Sequence, residues 1–208
     1  MYIPSLFNEA DQATLHDFIR SHSFATVVTT HEGTPFASHV PLYLDGNAGT
    51  QGALIGHLAR ANPQWQDMQA GADVLAIFNG PHAYVSPAWY EVKDMAVPTW
   101  NYMAVHAHGK ARLLSQVELE QALHKLVGVY ESAYQQPWQL EMTQAMREKL
   151  LGAIVGFEII LSGIEGKFKL SQNRPVEEQK RVMVQLAGQA DNESQRVAEQ
   201  MYKRLQER

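Results

Sequence analysis

The chain has 208 residues, of which 45% are hydrophobic, and a formal net charge of −5. That is enough apolar content for a sizeable core, and it excludes a disordered chain. With no cysteine, disulfides, thiolate zinc, iron–sulfur clusters and thiol redox chemistry are excluded, so any redox function must come from a bound organic or haem cofactor. The negative balance argues against sequence-independent nucleic-acid binding, and no stretch reaches the roughly 18 apolar residues of a membrane span. Without a secretory pattern at Met1-Tyr2-Ile3-Pro4, the expectation is a cytoplasmic protein.

In chain order, Asn8 is placed to cap a helix reaching Ser21, with Leu15, Phe18 and Ile19 on one buried stripe. Residues 24–30 and 35–44 read as a hairpin around His31-Glu32-Gly33-Thr34. A strand over 53–58 precedes a short helix opened by Asn62-Pro63 and ended by Gly71. Two strands, 74–78 and 83–85, are expected on either side of Asn79-Gly80-Pro81, then a loop over 86–96. A long strand over 99–114 follows Pro98, with Trp100, Tyr102, Ala104, His106 and His108 on one face and Asn101, Met103, Val105 and Ala107 on the other.

Ser115 and Glu118 have capping-box spacing before Leu119, Leu123, Leu126, Val127 and Tyr130 at helical intervals. A further helix is expected over 140–151, a strand over 153–162, and after a bend another over 166–170. Pro175 opens a helix, and a last helix covers 191–206. Strands joined by short turns with little helix between them predict an α+β protein, mainly antiparallel, of the barrel type. The expected division is a barrel domain over 1–174 and a helical segment over 175–208.

Three groupings carry candidate chemistry. His57-Leu58-Ala59-Arg60-Ala61-Asn62-Pro63 puts a guanidinium before a helix start, a pattern suited to phosphate and equally to a surface arginine beside a capped helix. Thr99, Trp100 and Asn101, with Tyr84, Ser86 and Trp89, could cover a flat heteroaromatic ring, although Trp and Tyr also serve as core. Lys169, Ser171, Gln172 and Asn173 form a basic, amide-rich run able to grip a cofactor edge or to end a strand. His106 and His108 share a strand face, but without a third ligand in view no metal site is assigned.

Taken together, Met1-Tyr2-Ile3-Pro4, Gly56-His57-Leu58-Ala59-Arg60-Ala61-Asn62-Pro63, Tyr84-Val85-Ser86-Pro87-Ala88-Trp89-Tyr90, Val97-Pro98-Thr99-Trp100-Asn101-Tyr102, Val105-His106-Ala107-His108-Gly109 and Lys169-Leu170-Ser171-Gln172-Asn173-Arg174 resemble the PaiB-type FMN-binding negative transcriptional regulators. The resemblance runs from the amino terminus to about Arg208. It implies an FMN-binding split β-barrel, similar to pyridoxamine-phosphate oxidases, assembled as a homodimer with flavin at the subunit interface. Within it, His57, Arg60 and Asn62 would serve the phosphate end, and Ser86, Thr99, Trp100 and Asn101 would line the flavin. Lys169, Ser171, Gln172 and Asn173 would close the site.

The regulatory role is implied by the resemblance alone. No helix-turn-helix stands out, and Lys180, Arg181, Arg196, Lys203 and Arg204 are interspersed with acids. DNA or a regulatory partner therefore stands as an expectation beside two other readings. One is a flavin oxidoreductase passing a hydride from reduced nicotinamide to a small acceptor; the other is a haem-binding split barrel.

Overall fold

The computed structural model describes residues 1–91 and 96–206. The chain divides into two compact units, one of residues 1–15, 79–105 and 165–208, the other of residues 16–78 and 106–164. The strands follow the order β3-β2-β6-β7-β8-β5-β4 with β1 on β8, where β1 is Asn8–Glu9, β2 Phe24–His31, β3 Thr34–Pro41, β4 Tyr43–Asp45, β5 Ala53–Ala59, β6 Asp73–Val85, β7 Thr99–Leu113 and β8 Ile154–Lys169. The helices are α1 (Gln12–Ser21), α2 (Gln64–Gln69), α3 (Gln116–Glu131), α4 (Gln144–Ala153), α5 (Val176–Ala187) and α6 (Asn192–Gln206).

In the unit of residues 16–78 and 106–164, β2 and β3 form the expected antiparallel hairpin, from Phe24 opposite Pro41 to His31 opposite Thr34. The expected single strand over 35–44 is split, because Pro41 has no N–H to continue the ladder. Leu42, almost wholly buried, donates instead to the Ser23 carbonyl at 2.9 Å, and β4 then pairs with β5. β5 lies antiparallel to β8, with His57 opposite Gly156 and Ala59 opposite Ile154. Val27, Leu54, Phe157 and Ile159 are fully buried between these elements, each contributing about 1.5–3 kcal/mol relative to exposure. The α3 capping box is present as expected: Ser115 and Glu118 each accept from the other's backbone N–H.

In the unit of residues 1–15, 79–105 and 165–208, Asn8 does not cap α1. It pairs with Lys167 in β1, and Asp11 takes the cap, accepting the Thr14 N–H at 2.8 Å. Leu15 is nonetheless buried, as are Phe18 and Ile19 further along α1. Val182 and Leu186 of α5 and Val197, Ala198 and Met201 of α6 supply buried apolar side chains. Asp191 caps α6 through the Ser194 N–H at 2.8 Å.

Two pairs of expected strands are continuous. In β6 no turn forms at Asn79-Gly80-Pro81; burial instead changes phase there, from Val74, Ala76, Phe78 and Gly80 to Pro81, Ala83 and Val85. Proline fits extended backbone and costs one ladder donor, so the irregularity is absorbed without reversing the chain. Likewise β8 continues through Gly163 and Gly166 where a bend was expected. At Gly166 a Cβ would lie 2.3 Å from Leu15 Cδ2, so the glycine marks a close approach and not a turn. The loop expected over 86–96 holds a 3-10 turn at Pro87–Trp89, and its residues 92–95 lie outside the described ones.

The long strand appears as β7. Its Asn101, Met103, Val105 and Ala107 face is buried, whereas Trp100 is exposed and Tyr102, His106 and His108 are half-buried. Strand alternation thus sorts the motif residues into inward and outward sets.

Candidate functional site

In the unit of residues 16–78 and 106–164, β5 carries His57 and the turn after it carries Arg60 and Asn62. His57 is half-buried, burial lowers its pKa, and its Nδ1 is a buried polar atom with no hydrogen-bond partner among the described residues. Arg60 donates from Nε to the Gly152 carbonyl at 2.7 Å and from Nη2 to the Ile154 carbonyl at 2.9 Å. It therefore ties the end of α4 to the start of β8, satisfying carbonyls that a helix terminus leaves open. Its Nη1 has no bond to protein among the described residues. A cavity of about 420 Å³ opens beside it, lined also by Trp65, Leu114, Leu119, the carboxylate residue Glu148, Gly152 and Ile154. α2 begins one residue later than expected, with Pro63 at its N-cap, and Asn62 just before it accepts from the Gln64 N–H at 3.0 Å and donates to Ser38 Oγ at 2.8 Å.

In the other unit, the start of β7 and the end of β8 bring several expected residues together. Lys169 Nζ donates to Thr99 Oγ1 at 2.6 Å and to the Trp100 carbonyl at 2.5 Å, and it lies 5.9 Å from the centre of the Phe7 ring. Burial lowers the Lys169 pKa, and repulsion from Lys167 adds to the effect. Desolvation of this kind disfavours the charged form, so the ammonium is costly unless something anionic or carbonyl-rich receives it. Fully buried Asn101 donates from Nδ2 to Ser171 Oγ at 2.9 Å.

Ser171 has φ of 65°, an uncommon left-handed conformation for a residue with a Cβ. It is held by the Asn101 bond and by a turn in which Arg174 N–H donates to the Ser171 carbonyl at 3.0 Å. Gln172 folds back onto its own backbone, accepting from Leu170 N–H at 2.6 Å and donating to the Phe168 carbonyl. Asn101, Ser171 and Gln172 thus shape the turn, while half-buried Lys169 and Thr99 bond to one another and Asn173 is exposed.

Not every expected residue joins this cluster. The Trp100 ring lies with Tyr84 and His82, at centroid distances of 6.0 and 6.2 Å, and only its carbonyl reaches Lys169. Ser86 caps the 3-10 turn, accepting from Ala88 N–H at 3.2 Å. The cation–ring contacts of Arg174 over Tyr90 at 4.6 Å, and of Lys167 over Tyr102 at 5.3 Å, went unforeseen because each joins residues far apart in sequence.

Taken separately, each unit carries donors of the kind a flavin mononucleotide requires: the Arg60 guanidinium and the His57 imidazole in one, the partly desolvated Lys169 ammonium and the Thr99 hydroxyl in the other. Residues 1–162 match the family model described as "Putative FMN-binding domain". The chain belongs to this FMN-binding family.

It is 39% identical over 207 residues to "Protease synthase and sporulation protein PAI 2" of Bacillus subtilis, covering 99% of this chain and 98% of the relative. It is 30% identical to an uncharacterized protein of Emericella nidulans, covering 83% and 84% respectively. Two solved structures share the fold at 14% identity each: the FAD and heme binding protein of Mycobacterium smegmatis (TM-score 0.61, 83% of this chain and 78% of that one) and the flavocytochrome Anf3 of Azotobacter vinelandii (TM-score 0.62, 84% and 74%). The expected mainly antiparallel split-barrel class stands, and the PaiB-type resemblance is a family membership. Among the described residues, no helix is long and apolar enough to cross a membrane.

Proposed function

We propose that the protein is a cytoplasmic, homodimeric FMN-binding regulator whose flavin state is relayed to a regulatory partner. The observation that carries the flavin reading is Lys169, an ammonium held partly out of water by Thr99 and the Trp100 carbonyl in a chain of the FMN-binding family. Lys169 and Thr99 are the donors for the polar edge of the ring, with Asn101, Ser171, Gln172 and Asn173 fixing the turn that presents them. The phosphate end is assigned to Arg60, through its remaining nitrogen, together with His57 and Asn62, all of the unit of residues 16–78 and 106–164. Bound FMN supplies a ring that accepts and returns electrons; the protein's part is to hold it and exclude water.

A regulatory partner fits the charges better than bare DNA does. Arg181 pairs with Glu91 at 2.7 Å, Lys180 with Glu177 at 3.0 Å and Arg204 with Glu9 at 3.8 Å. Basic groups already paired release fewer counterions on meeting phosphates.

The test is the absorption spectrum of the purified protein, before and after anaerobic addition of reduced nicotinamide, with sedimentation equilibrium alongside. The expected result is a flavin spectrum that stays oxidised, on a species of twice 23.4 kDa. A Soret band, rapid bleaching or a monomer at micromolar concentration would each remove the corresponding part of the reading. A mobility-shift titration against the protein's own upstream region tests the partner step. A specific, salt-sensitive shift at physiological salt would replace the partner with direct DNA binding.

A further inference from the structure

A pocket of about 430 Å³ lies in the unit containing α5 and α6, and its lining includes His82, Tyr84, Trp89, Trp100, Asp191 and Glu193. Its walls are aromatic and open to solvent, Trp100 being 51% exposed and Tyr84 45%. Tyr84 meets Trp100 edge to face, with an interplanar angle of 73°, and His82 is tilted against the same indole at 36°. Neither contact is a stacked one, so neither ring lies flat over the Trp100 indole face.

Two of the lining residues, Asp191 and Glu193, are acidic. Asp191 accepts the Ser194 N–H, which holds its carboxyl below the ordinary value and so ionised. Glu193 accepts the His82 N–H at 3.3 Å through Oε2 and pairs with Arg196 at 3.2 Å through Oε1. Opposing charge comes from Arg196, from His82 when protonated, and from the positive end of the α6 dipole; Asp191 sits at that end and counters it.

We propose that this pocket binds a small organic ammonium cation, with the Trp100, Tyr84 and Trp89 rings facing its alkyl shell and Asp191 and Glu193 as counter-charges. An aromatic face attracts a cation through the ring quadrupole, and a carboxylate nearby adds a Coulomb attraction that is modest at a solvent-open site. The same carboxylates repel a phosphate, which makes the pocket unsuited to FMN. The alternation of β7 keeps the two functions apart: Thr99 and Asn101 turn one way and Trp100 the other. The proposal does not depend on the flavin reading.

The test is calorimetric titration of the FMN-loaded full-length protein with choline and with its neutral isostere 3,3-dimethyl-1-butanol. Choline should bind, and the alcohol about tenfold or more weakly, since it keeps the shape and loses the charge. Asp191→Asn preserves an N-cap acceptor and removes the charge, so it should weaken choline about three- to tenfold while leaving flavin content unchanged. Trp100→Leu should abolish choline binding. Equal binding of choline and the alcohol would overturn the proposal, as would no heat with millimolar choline. Displacement of FMN by choline would also overturn it, by assigning the pocket to the flavin.

Discussion

Gly109, the last residue of the Val-His-Ala-His-Gly motif, owes its place to packing, and Gly109→Ala measures how tightly β7 and β8 are pressed together. A Cβ at this position would lie 2.2 Å from the Ile160 carbonyl oxygen, 2.9 Å from Ile159 Cγ2 and 3.0 Å from the Ile160 carbonyl carbon. Ordinary contact for a methyl group and an oxygen is about 3.2–3.4 Å, so the strands would have to part by roughly 1 Å. The obstacle is backbone, which has no rotamer to change. β8 cannot retreat freely either, because on its other side Ala53 and Leu54 of β5 pair with Ile160 and Ile159.

Overpacking of this kind costs about 1–3 kcal/mol, and a weakened ladder bond adds about 1 kcal/mol, giving a total near 3 kcal/mol. In urea unfolding this lowers the midpoint by about 1–2 M. The control is Gly163→Ala, where a Cβ would meet nothing within 4 Å; there the midpoint should hold or rise slightly, since the unfolded chain loses freedom. Equal midpoints for the two variants would refute the reasoning.

Arg60→Ala should weaken FMN about tenfold or more while changing riboflavin little, because a charge-assisted bond to phosphate is worth about 1.5–3 kcal/mol; equal weakening in paired fluorescence titrations would confine Arg60 to its carbonyls on Gly152 and Ile154. Lys169→Met should cost about tenfold in FMN affinity yet move apo-protein stability by less than about 1 kcal/mol, since the lost bonds are offset by removing a desolvated charge; a large stability loss with flavin binding intact would make Lys169 structural. The hydrogen bond from His31 Nδ1 to Asp67 Oδ1, 2.8 Å long, raises the His31 pKa from 6.5. Its stabilisation is therefore full below pH 6.5 and lost as pH rises through the raised value, so the unfolding midpoints of wild type and His31→Gln should converge in the alkaline range. A difference independent of pH would show that the ion pair is not the source.

What the sequence determined by itself was local or modular. Alternation fixed the two faces of β7, the Ser115 and Glu118 spacing fixed the start of α3, and Asn62-Pro63 fixed the start of α2 to within one residue, because each rests on residues within a turn or strand of one another. The motif set was sufficient for the family and its cofactor. Tertiary structure decided what depends on partners distant along the chain. Asn8 had the chemistry of a helix cap but pairs with Lys167 in β1, and Asn79-Gly80-Pro81 had the composition of a turn but stays within β6. Arg60 turned to the Gly152 and Ile154 carbonyls, more than ninety positions away in sequence. The Trp100 ring joined His82 and Tyr84, while its neighbour Asn101 joined Ser171. For Asn8, Arg60, Trp100 and Asn101 the deciding hydrogen bond, strand pairing or ring contact is with a distant element, and local periodicity carries no record of which distant element that is.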